Sequence, residues 1–195
     1  MKRLSLSAAA LCAALALNAQ WGAGVRDTRY VNVSYTFLSH WRAKLEHSVY
    51  AESFSKQYVR LYMAYRRRFG RLSISGEPYF GMTYSNSYRS MGFNIDAGAD
   101  ITRWMFAEAG FTPHYDSGTG YSSLYKASLG FRCTGNIAAI GTFTNRPENR
   151  MPEKRMRAGV RFSVKNLWAF PEVSFPVERG KGLGLHFMAS MGYTF

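Results

Sequence analysis

Residues 156–164 read MRAGVRFSV, and apolar and polar side chains alternate along this segment. The apolar side chains occupy the even-numbered positions, whereas the odd-numbered positions carry Arg157, Gly159 and Arg161. Successive side chains of a β-strand point to opposite faces of the sheet. The period of two therefore predicts a strand with one apolar face and one charged face.

The same alternation runs from Tyr30 to the end of the chain, in segments of about ten residues separated by short polar turns. In the first of them, Val31 and Val33 alternate with Asn32 and Ser34. No segment shows a convincing helical period. Eleven such segments in succession predict an all-β fold in which neighbouring strands are antiparallel and joined by hairpins.

The composition excludes a disordered chain and a helical membrane protein. Aromatic residues make up 16% of the 195 residues and charged residues only 19%, whereas disordered chains have few aromatic residues and more charge. After the first segment of the chain, no apolar run approaches the roughly 20 residues of a transmembrane helix. The two cysteines, Cys12 and Cys133, are too few for a disulfide framework. The length fits one domain.

Residues 1–20 read MKRLSLSAAALCAALALNAQ and predict a secretory signal peptide. Two cations form a positive start, an apolar stretch poor in charge follows, and small residues precede the expected cleavage site. Cleavage is expected after Ala19 or Gln20. The mature chain, residues 21–195, is then expected to form a single domain outside the cytoplasm.

The charged face of the strands distinguishes a membrane barrel from a water-soluble sandwich. A sandwich has longer connections that cross between its sheets, but here nearly every strand follows the last by a hairpin. Packing the charged face in a dry core would cost several kcal/mol for each unpaired ion. A closed barrel in lipid has no edge strand and leaves the charged face in a wet or salt-bridged lumen. The sequence therefore predicts a single closed antiparallel transmembrane β-barrel.

The chain ends on Met191-Gly192-Tyr193-Thr194-Phe195, an alternating segment with a terminal Phe. Together with the signal peptide and the alternating strands, this ending resembles the outer-membrane β-barrel proteins of Gram-negative bacteria. The resemblance covers the whole mature chain as a pattern, without the motif of a particular family. It implies a location in the cell outer membrane. It also implies that Gly192, Tyr193 and Phe195 form an assembly signal read by the barrel-assembly machinery.

The number of strands depends on how the start of the mature chain is interpreted. Single-chain bacterial barrels have an even number of strands, so eleven segments leave one to be assigned. A short first strand from Trp21 to Arg26 gives twelve strands, which we favour, whereas one long strand from Tyr30 to Tyr50 gives ten. Pro78 lies inside a segment, and because proline cannot donate to the ladder we expect a β-bulge there.

The functional residues are expected among the inward-facing side chains of the strands, which include nine cations and six anions. The predicted pore-lining residues are Arg42, Lys44, Arg60, Glu77, Asp96, Asp100, Glu108, Lys126, Arg132, Arg157, Arg161, Lys165, Glu172 and His186, with Glu46 and Arg66 on the same parity. The excess of cations predicts a narrow pore with a basic-leaning lumen for small anionic solutes. In strand number and sign of charge, this arrangement resembles the small twelve-stranded porins for acidic oligosaccharides.

Two alternatives stay open at this point. The first is a closed structural or adhesive barrel whose inward charges pair with one another and transport nothing. The second is an outer-membrane hydrolase that uses His186, Ser190 and Glu172, or His114 with Asp116, although no spacing supports catalysis. We expect no enzyme activity, and because the histidines and cysteines show no metal-ligand spacing we expect no metal and no cofactor.

The remaining cations are expected at the membrane surface. Tight turns at residues 38–40, 67–70, 102–103, 134–136 and 166–167 are expected to face the periplasm, and longer connections to face outward. The run Arg66-Arg67-Arg68 is expected at such a tight turn, facing phospholipid or periplasm, and secretion argues against a nucleic-acid partner. The cations expected to pair with lipopolysaccharide phosphates from the outer loops are Arg146, Arg150, Lys154, Arg155, Arg179 and Lys181.

Overall fold

The computed structural model describes residues 20–49, 56–146, 154–178 and 184–195. They form twelve strands: β1 (Gln20–Arg26), β2 (Tyr30–Phe37), β3 (Trp41–Ser48), β4 (Tyr58–Phe69), β5 (Leu72–Thr83), β6 (Arg89–Asp100), β7 (Met105–Asp116), β8 (Gly120–Arg132), β9 (Ile137–Thr144), β10 (Arg155–Val164), β11 (Leu167–Pro176) and β12 (His186–Thr194). In this part of the chain, no helix is long and apolar enough to cross a membrane.

The twelve strands form one closed antiparallel barrel. Each strand pairs with its neighbours in sequence, and β1 pairs with β12, where Gly22 lies opposite Thr194. The predicted fold and the number of strands are confirmed. The ten-strand alternative is wrong, because Leu38 and Ser39 adopt left-handed φ angles of 51° and 61° and turn the chain between β2 and β3.

The outer face of the barrel is apolar. Strand pairing aligns its side chains in rows, and one row crosses six strands through Leu45, Leu61, Phe80, Met91, Tyr115 and Tyr121. Most of these side chains are exposed, in contrast to the partly buried polar residues that alternate with them. An apolar outer band on a closed sheet is stable in hydrocarbon, so the predicted alternation divides a lipid-facing wall from a lumen.

The two ends of the barrel differ in their connections. The tight-turn end carries residues 38–40, 70–71, 101–104, 133–136 and 165–166, together with the start of β1 and the end of β12. The loop end carries the other six connections, three of which extend beyond the described residues. Because β4 extends to Phe69 and Gly70 makes the turn with a φ of 59°, Arg67 and Arg68 belong to the strand and not to a turn at 67–70.

Three prolines lie in the interior of strands without a β-bulge: Pro78 in β5, Pro113 in β7 and Pro171 in β11. Each is paired in register with the following strand. Toward the preceding strand, the ladder skips the residues around the proline and resumes in the same register. The bulge predicted at Pro78 is wrong, because the wall accommodates the missing N–H donor by a local gap in the ladder and no extra residue is needed.

Ile95 tests whether the outer face meets hydrocarbon. It lies in the middle of β6 on the outer face and is 41% exposed. We expect Ile95→Arg to lower the free energy of unfolding in lipid vesicles by about 2–4 kcal/mol, because a cation near the bilayer midplane loses its hydration. Urea titration followed by tryptophan fluorescence measures this change. The same substitution at Ile101, beyond the end of β6, is the control, with an expected loss of about 0–1 kcal/mol. Equal, small effects at both positions would show that water covers the wall.

Candidate pore and arginine vestibule

Strand pairing places the predicted pore-lining residues on the inner face of the wall, with one exception. Those on the inner face are Arg42, Lys44, Arg60, Glu77, Asp96, Asp100, Glu108, Lys126, Arg132, Arg157, Arg161, Glu172 and His186. Lys165 instead lies in the turn between β10 and β11, with a φ of 52°. Its predicted position on the inside of a strand is wrong, because β10 ends one residue earlier at Val164.

Glu46 is the centre of a buried ion network in the loop half of the lumen. Its side chain is 1% exposed. Arg26 donates two hydrogen bonds to the carboxylate, at 2.9 and 2.8 Å, and the Tyr62 hydroxyl donates a third at 3.0 Å. Arg60 lies 3.8 Å from the same carboxylate and donates to the Tyr62 hydroxyl at 2.8 Å. The Glu46 carboxylate is therefore balanced by close cationic partners.

Two cations that were predicted on the outer loops lie inside the barrel. Arg155 is fully buried on β10, where its Nε donates to the Ser174 hydroxyl at 2.8 Å. Arg146 follows β9 and turns inward, so that its Nη2 donates to the Thr112 hydroxyl at 3.0 Å. The expectation that these two guanidinium groups sit on outer loops is wrong.

The other predicted loop cations have different outcomes. Lys154 is exposed at the loop end and lies 3.3 Å from Glu178. Arg150, Arg179 and Lys181 lie outside the described residues.

The side chains considered for a hydrolase are engaged in separate contacts. Glu172 lies 3.5 Å from Arg157, and the Nδ1 atom of His186 lies 3.1 Å from the buried guanidinium on β10. The Ser190 hydroxyl accepts the backbone N–H of Asp27 at 3.0 Å. In these contacts the three side chains do not form a relay of nucleophile, base and acid. Among the described residues, no group of three or more His, Cys, Asp or Glu side chains could hold a metal ion.

His114 and Asp116 do come together, in a hydrogen-bonded line near the loop end. The Tyr79 hydroxyl lies 2.6 Å from His114 Nδ1, and His114 Nε2 lies 3.3 Å from the Asp116 carboxylate. Asp116 also accepts the backbone N–H groups of Gly118 and Thr119, at 2.8 and 2.7 Å. Asp116 therefore holds the turn between β7 and β8, and His114 ties that turn to the wall.

The tight-turn half of the lumen opens into a cavity of about 490 Å³, here called the arginine vestibule. Its charged lining consists of Arg66, Arg68, Arg71, Arg132 and Arg161 with the two acidic residues Asp100 and Glu108. Arg68 and Arg132 both hydrogen-bond to the Asp100 carboxylate. Within the described part of the chain, Arg66, Arg71 and Arg161 form no ion pair. The vestibule therefore has an excess of uncompensated positive charge.

Aromatic rings support two of the vestibule arginines. The Arg132 guanidinium lies 4.9 Å from the centre of the Phe106 ring, and that of Arg161 lies 5.3 Å from the Trp168 ring. A cation over an aromatic face is attracted by the negative charge of the ring face, and this attraction leaves its N–H groups available at the edges. The rings therefore hold these guanidinium groups without neutralising them.

The basic run on β4 is divided between the two faces of the wall. Arg66 and Arg68 face the vestibule, whereas Arg67 lies on the outer face, 5.1 Å from the centre of the Phe69 ring. The expectation that the whole run faces phospholipid or periplasm from a turn is therefore wrong, since alternation continues through it. Arg68 and Arg71 are vestibule residues that the sequence reasoning did not assign to the pore.

The residues of the predicted assembly signal lie at the tight-turn end of β12. Tyr193 and Phe195 are on the outer face, with ring centres 5.0 Å apart. Gly192 faces inward beneath Trp168, and a Cβ at this position would lie 2.7 Å from the indole Nε1. Glycine at this position thus lets the indole lie against the backbone of β12.

Comparison with known proteins identifies the fold. No protein-family profile matches the sequence, and no curated protein matches it. Among solved structures, a KdgM porin in complex with disordered oligogalacturonate superimposes with a TM-score of 0.68 at 12% identity, covering 91% of this chain and 98% of the porin. A NanC porin superimposes with a TM-score of 0.56 at 10% identity and the same coverage.

The chain has the fold of these porins. At such low identity the likeness is one of architecture, and it agrees with the closed twelve-stranded barrel and its apolar outer face. The predicted fold, a small closed β-barrel like that of outer-membrane porins, is confirmed. The location in the outer membrane stays a prediction, which the apolar outer face supports.

Proposed function

We propose that the barrel is a narrow pore that favours small anionic solutes over cations. The observation that carries this proposal is the arginine vestibule, in which five arginines face two acidic residues around a cavity of about 490 Å³. A cavity that is lined by one sign of charge and bounded by a low-dielectric wall concentrates ions of the opposite sign. Rings of Arg and Lys act in this way in anion-selective pores.

The chemistry of the vestibule supports carboxylate-bearing solutes. Guanidinium groups bind carboxylates through two parallel hydrogen bonds, and Asp100 shows that two vestibule arginines can share one carboxylate. One of the similar porin structures contains oligogalacturonate, an acidic oligosaccharide. Small acidic saccharides are therefore the solutes to test first.

A closed structural or adhesive barrel is the second candidate. The buried network around Glu46 favours it, because paired charges and the Tyr62 side chain occupy the lumen near the loop end. In this case the vestibule would be a blind pocket. The two candidates differ in whether ions cross the barrel.

Several further parts of the proposal concern the path of the chain to the membrane. We propose that residues 1–20 are a signal peptide and that residues 21–195 form the barrel. We also propose that the barrel-assembly machinery reads Gly192, Tyr193 and Phe195. In the membrane, the tight-turn end faces the periplasm, and cations at the loop end, such as Lys154, contact lipopolysaccharide.

Conductance of the purified protein in planar lipid bilayers tests the pore. Under a potassium chloride gradient, we expect open channels whose zero-current potential has the sign set by chloride. We also expect an acidic disaccharide to reduce the chloride current more than a neutral disaccharide of the same size. A bilayer that stays silent after the protein has inserted contradicts the pore and supports the closed barrel.

A further inference from the structure

A glycine brings two opposite charges together across the inner face of β7. Strand pairing places Asp96 of β6 beside Gly110 of β7, and Gly110 beside Lys126 of β8. The Lys126 ammonium lies 3.0 Å from the Asp96 carboxylate, above the backbone at Gly110. A Cβ at Gly110 would collide with Asp96 Oδ1 and would lie 2.7 Å from Lys126 Cε. A side chain at this position would displace the ends of both charged side chains, so the observed geometry of the ion pair depends on Gly110.

Arg146 reaches the same carboxylate from the loop end. Its backbone N–H bonds to the Thr144 hydroxyl at 3.0 Å, which turns the chain inward as β9 ends. Its Nη2 lies 3.9 Å from Asp96 Oδ1 and donates to Thr112, the next inward residue after Gly110 on β7. The Nε of Arg146 is buried and has no hydrogen-bond partner in the described part of the protein. Two cations thus share one carboxylate, and one N–H donor remains available.

Asp96 and Lys126 line a small space next to the arginine vestibule. A space of about 40 Å³, lined by Asp96 and Lys126, adjoins the arginine vestibule and shares Arg66 and Glu108 with it. One water molecule occupies about 30 Å³ in the liquid. The space beside Asp96 and Lys126 therefore has room for about one water, whereas the adjoining vestibule has room for many.

We infer that Asp96, Lys126 and Arg146 form the selectivity bridge of the pore, in which Asp96 is an internal anion that a passing anion replaces. This inference rests on the proposed pore function. An anion leaving the vestibule meets two cations that face the Asp96 carboxylate as ion pairs, at 3.0 and 3.9 Å. It pairs with both of them and accepts a hydrogen bond from the unpaired Nε of Arg146, and Asp96 is their partner again when the anion has passed. Asp96 thereby limits how tightly an anion is held and how strongly the bridge prefers anions.

Asp96→Asn is the main test, because it removes the charge and keeps the shape of the side chain. We expect the anion-to-cation permeability ratio in planar bilayers to rise by at least about twofold, since both cations lose their internal partner. Lys126→Gln is expected to lower the ratio. Glu178→Gln removes one negative charge from the exposed pair with Lys154 at the loop end, and as the matched control it is expected to leave the ratio unchanged.

A second variant tests the geometry without changing any charge. Gly110→Ala separates Asp96 from Lys126, so we expect a rise in the permeability ratio in the same direction as for Asp96→Asn. Retention of the compact band on unheated denaturing gels shows which variants are folded. If the unmodified barrel prefers chloride and all folded variants match it, the selectivity bridge is wrong and the pore stands. If the unmodified barrel is silent or prefers potassium, the pore proposal fails, and the inference fails with it.

Discussion

Replacing Arg66 and Arg161 together with glutamate is expected to invert the ion preference of the barrel. The vestibule then has three arginines against four acidic residues, where the natural chain has five against two. Both replaced side chains form no ion pair with a described residue, so the change acts on the field in the cavity and leaves paired charges intact. In a potassium chloride gradient, the zero-current potential is expected to change from the sign set by chloride to the sign set by potassium.

Arg67→Glu is the matched control for this reversal. Arg67 is adjacent to Arg66 on β4 but lies on the outer face near the tight-turn end, over the Phe69 ring. One of the two charge reversals is therefore repeated at a neighbouring position outside the lumen, and the ion preference is expected to stay with chloride. A double variant that still prefers chloride would contradict the assignment of the vestibule as the source of selectivity. Raising the salt concentration is expected to weaken the preference of both the natural and the reversed pore, because ions screen the charges.

Glu46→Ala is expected to cause the largest loss of stability. The change leaves Arg26 and Arg60 in the lumen without the carboxylate that both face, and it removes the acceptor of the Tyr62 hydroxyl. Breaking a buried ion pair by removing one partner costs about 3–5 kcal/mol, because the remaining charge is poorly hydrated. The free energy of unfolding in lipid vesicles, measured by urea titration, is expected to fall by that amount.

Glu178→Ala provides the comparison for Glu46→Ala. Glu178 pairs with Lys154 at 3.3 Å, and both side chains are about half exposed. Exposed pairs contribute about 0–1 kcal/mol, so this change is expected to be nearly neutral. If Glu46→Ala is equally mild, water fills the loop half of the lumen and hydrates the arginines. Such a result would favour an open pore over a sealed network.

The faces of the strands could be predicted because the period of two belongs to the strand itself and does not depend on its partners. The residues of β10 show this directly, since Arg157 and Arg161 face inward as the alternation requires. The basic run on β4 obeys the same rule. Its misassignment arose from treating a cluster of cations as a turn, although the apolar parity continues to Phe69. When the alternation of side chains is continued through Arg66 and Arg67, Arg68 is predicted to face the lumen.

The partners of the inward charges could not be predicted, because they depend on the stagger between strands and on the loops. Asp96 and Lys126 are thirty positions apart and meet only because Gly110 lies between them in the ladder. Arg146 lies two residues beyond the end of β9, where the alternation no longer constrains a side chain. Its inward turn depends on the Thr144 hydroxyl, and this contact becomes visible only in the folded chain.

The backbone around Pro78 could not be predicted from the proline alone. The sequence places Pro78 inside a strand, and the loss of one donor suggests a disturbed backbone. The structure keeps the register because the ladder to β6 is continuous through Pro78, with Phe93 as its partner. One continuous ladder is sufficient to keep the register of the strand. A closed sheet provides this ladder because every strand in it has a neighbour on both sides.

Because β1 pairs with β12, the barrel closes only after the last strand is present. Gly22 and Thr194 lie opposite each other, although almost the whole sequence separates them. Contacts at such a distance form slowly, because the chain entropy is lost before the contact is gained. Until β12 arrives, β1 and β11 each expose a row of unpaired backbone groups, which hydrocarbon does not tolerate. A nascent chain without its last strand therefore has no stable membrane-inserted state, and closure and insertion are expected to occur as one cooperative event.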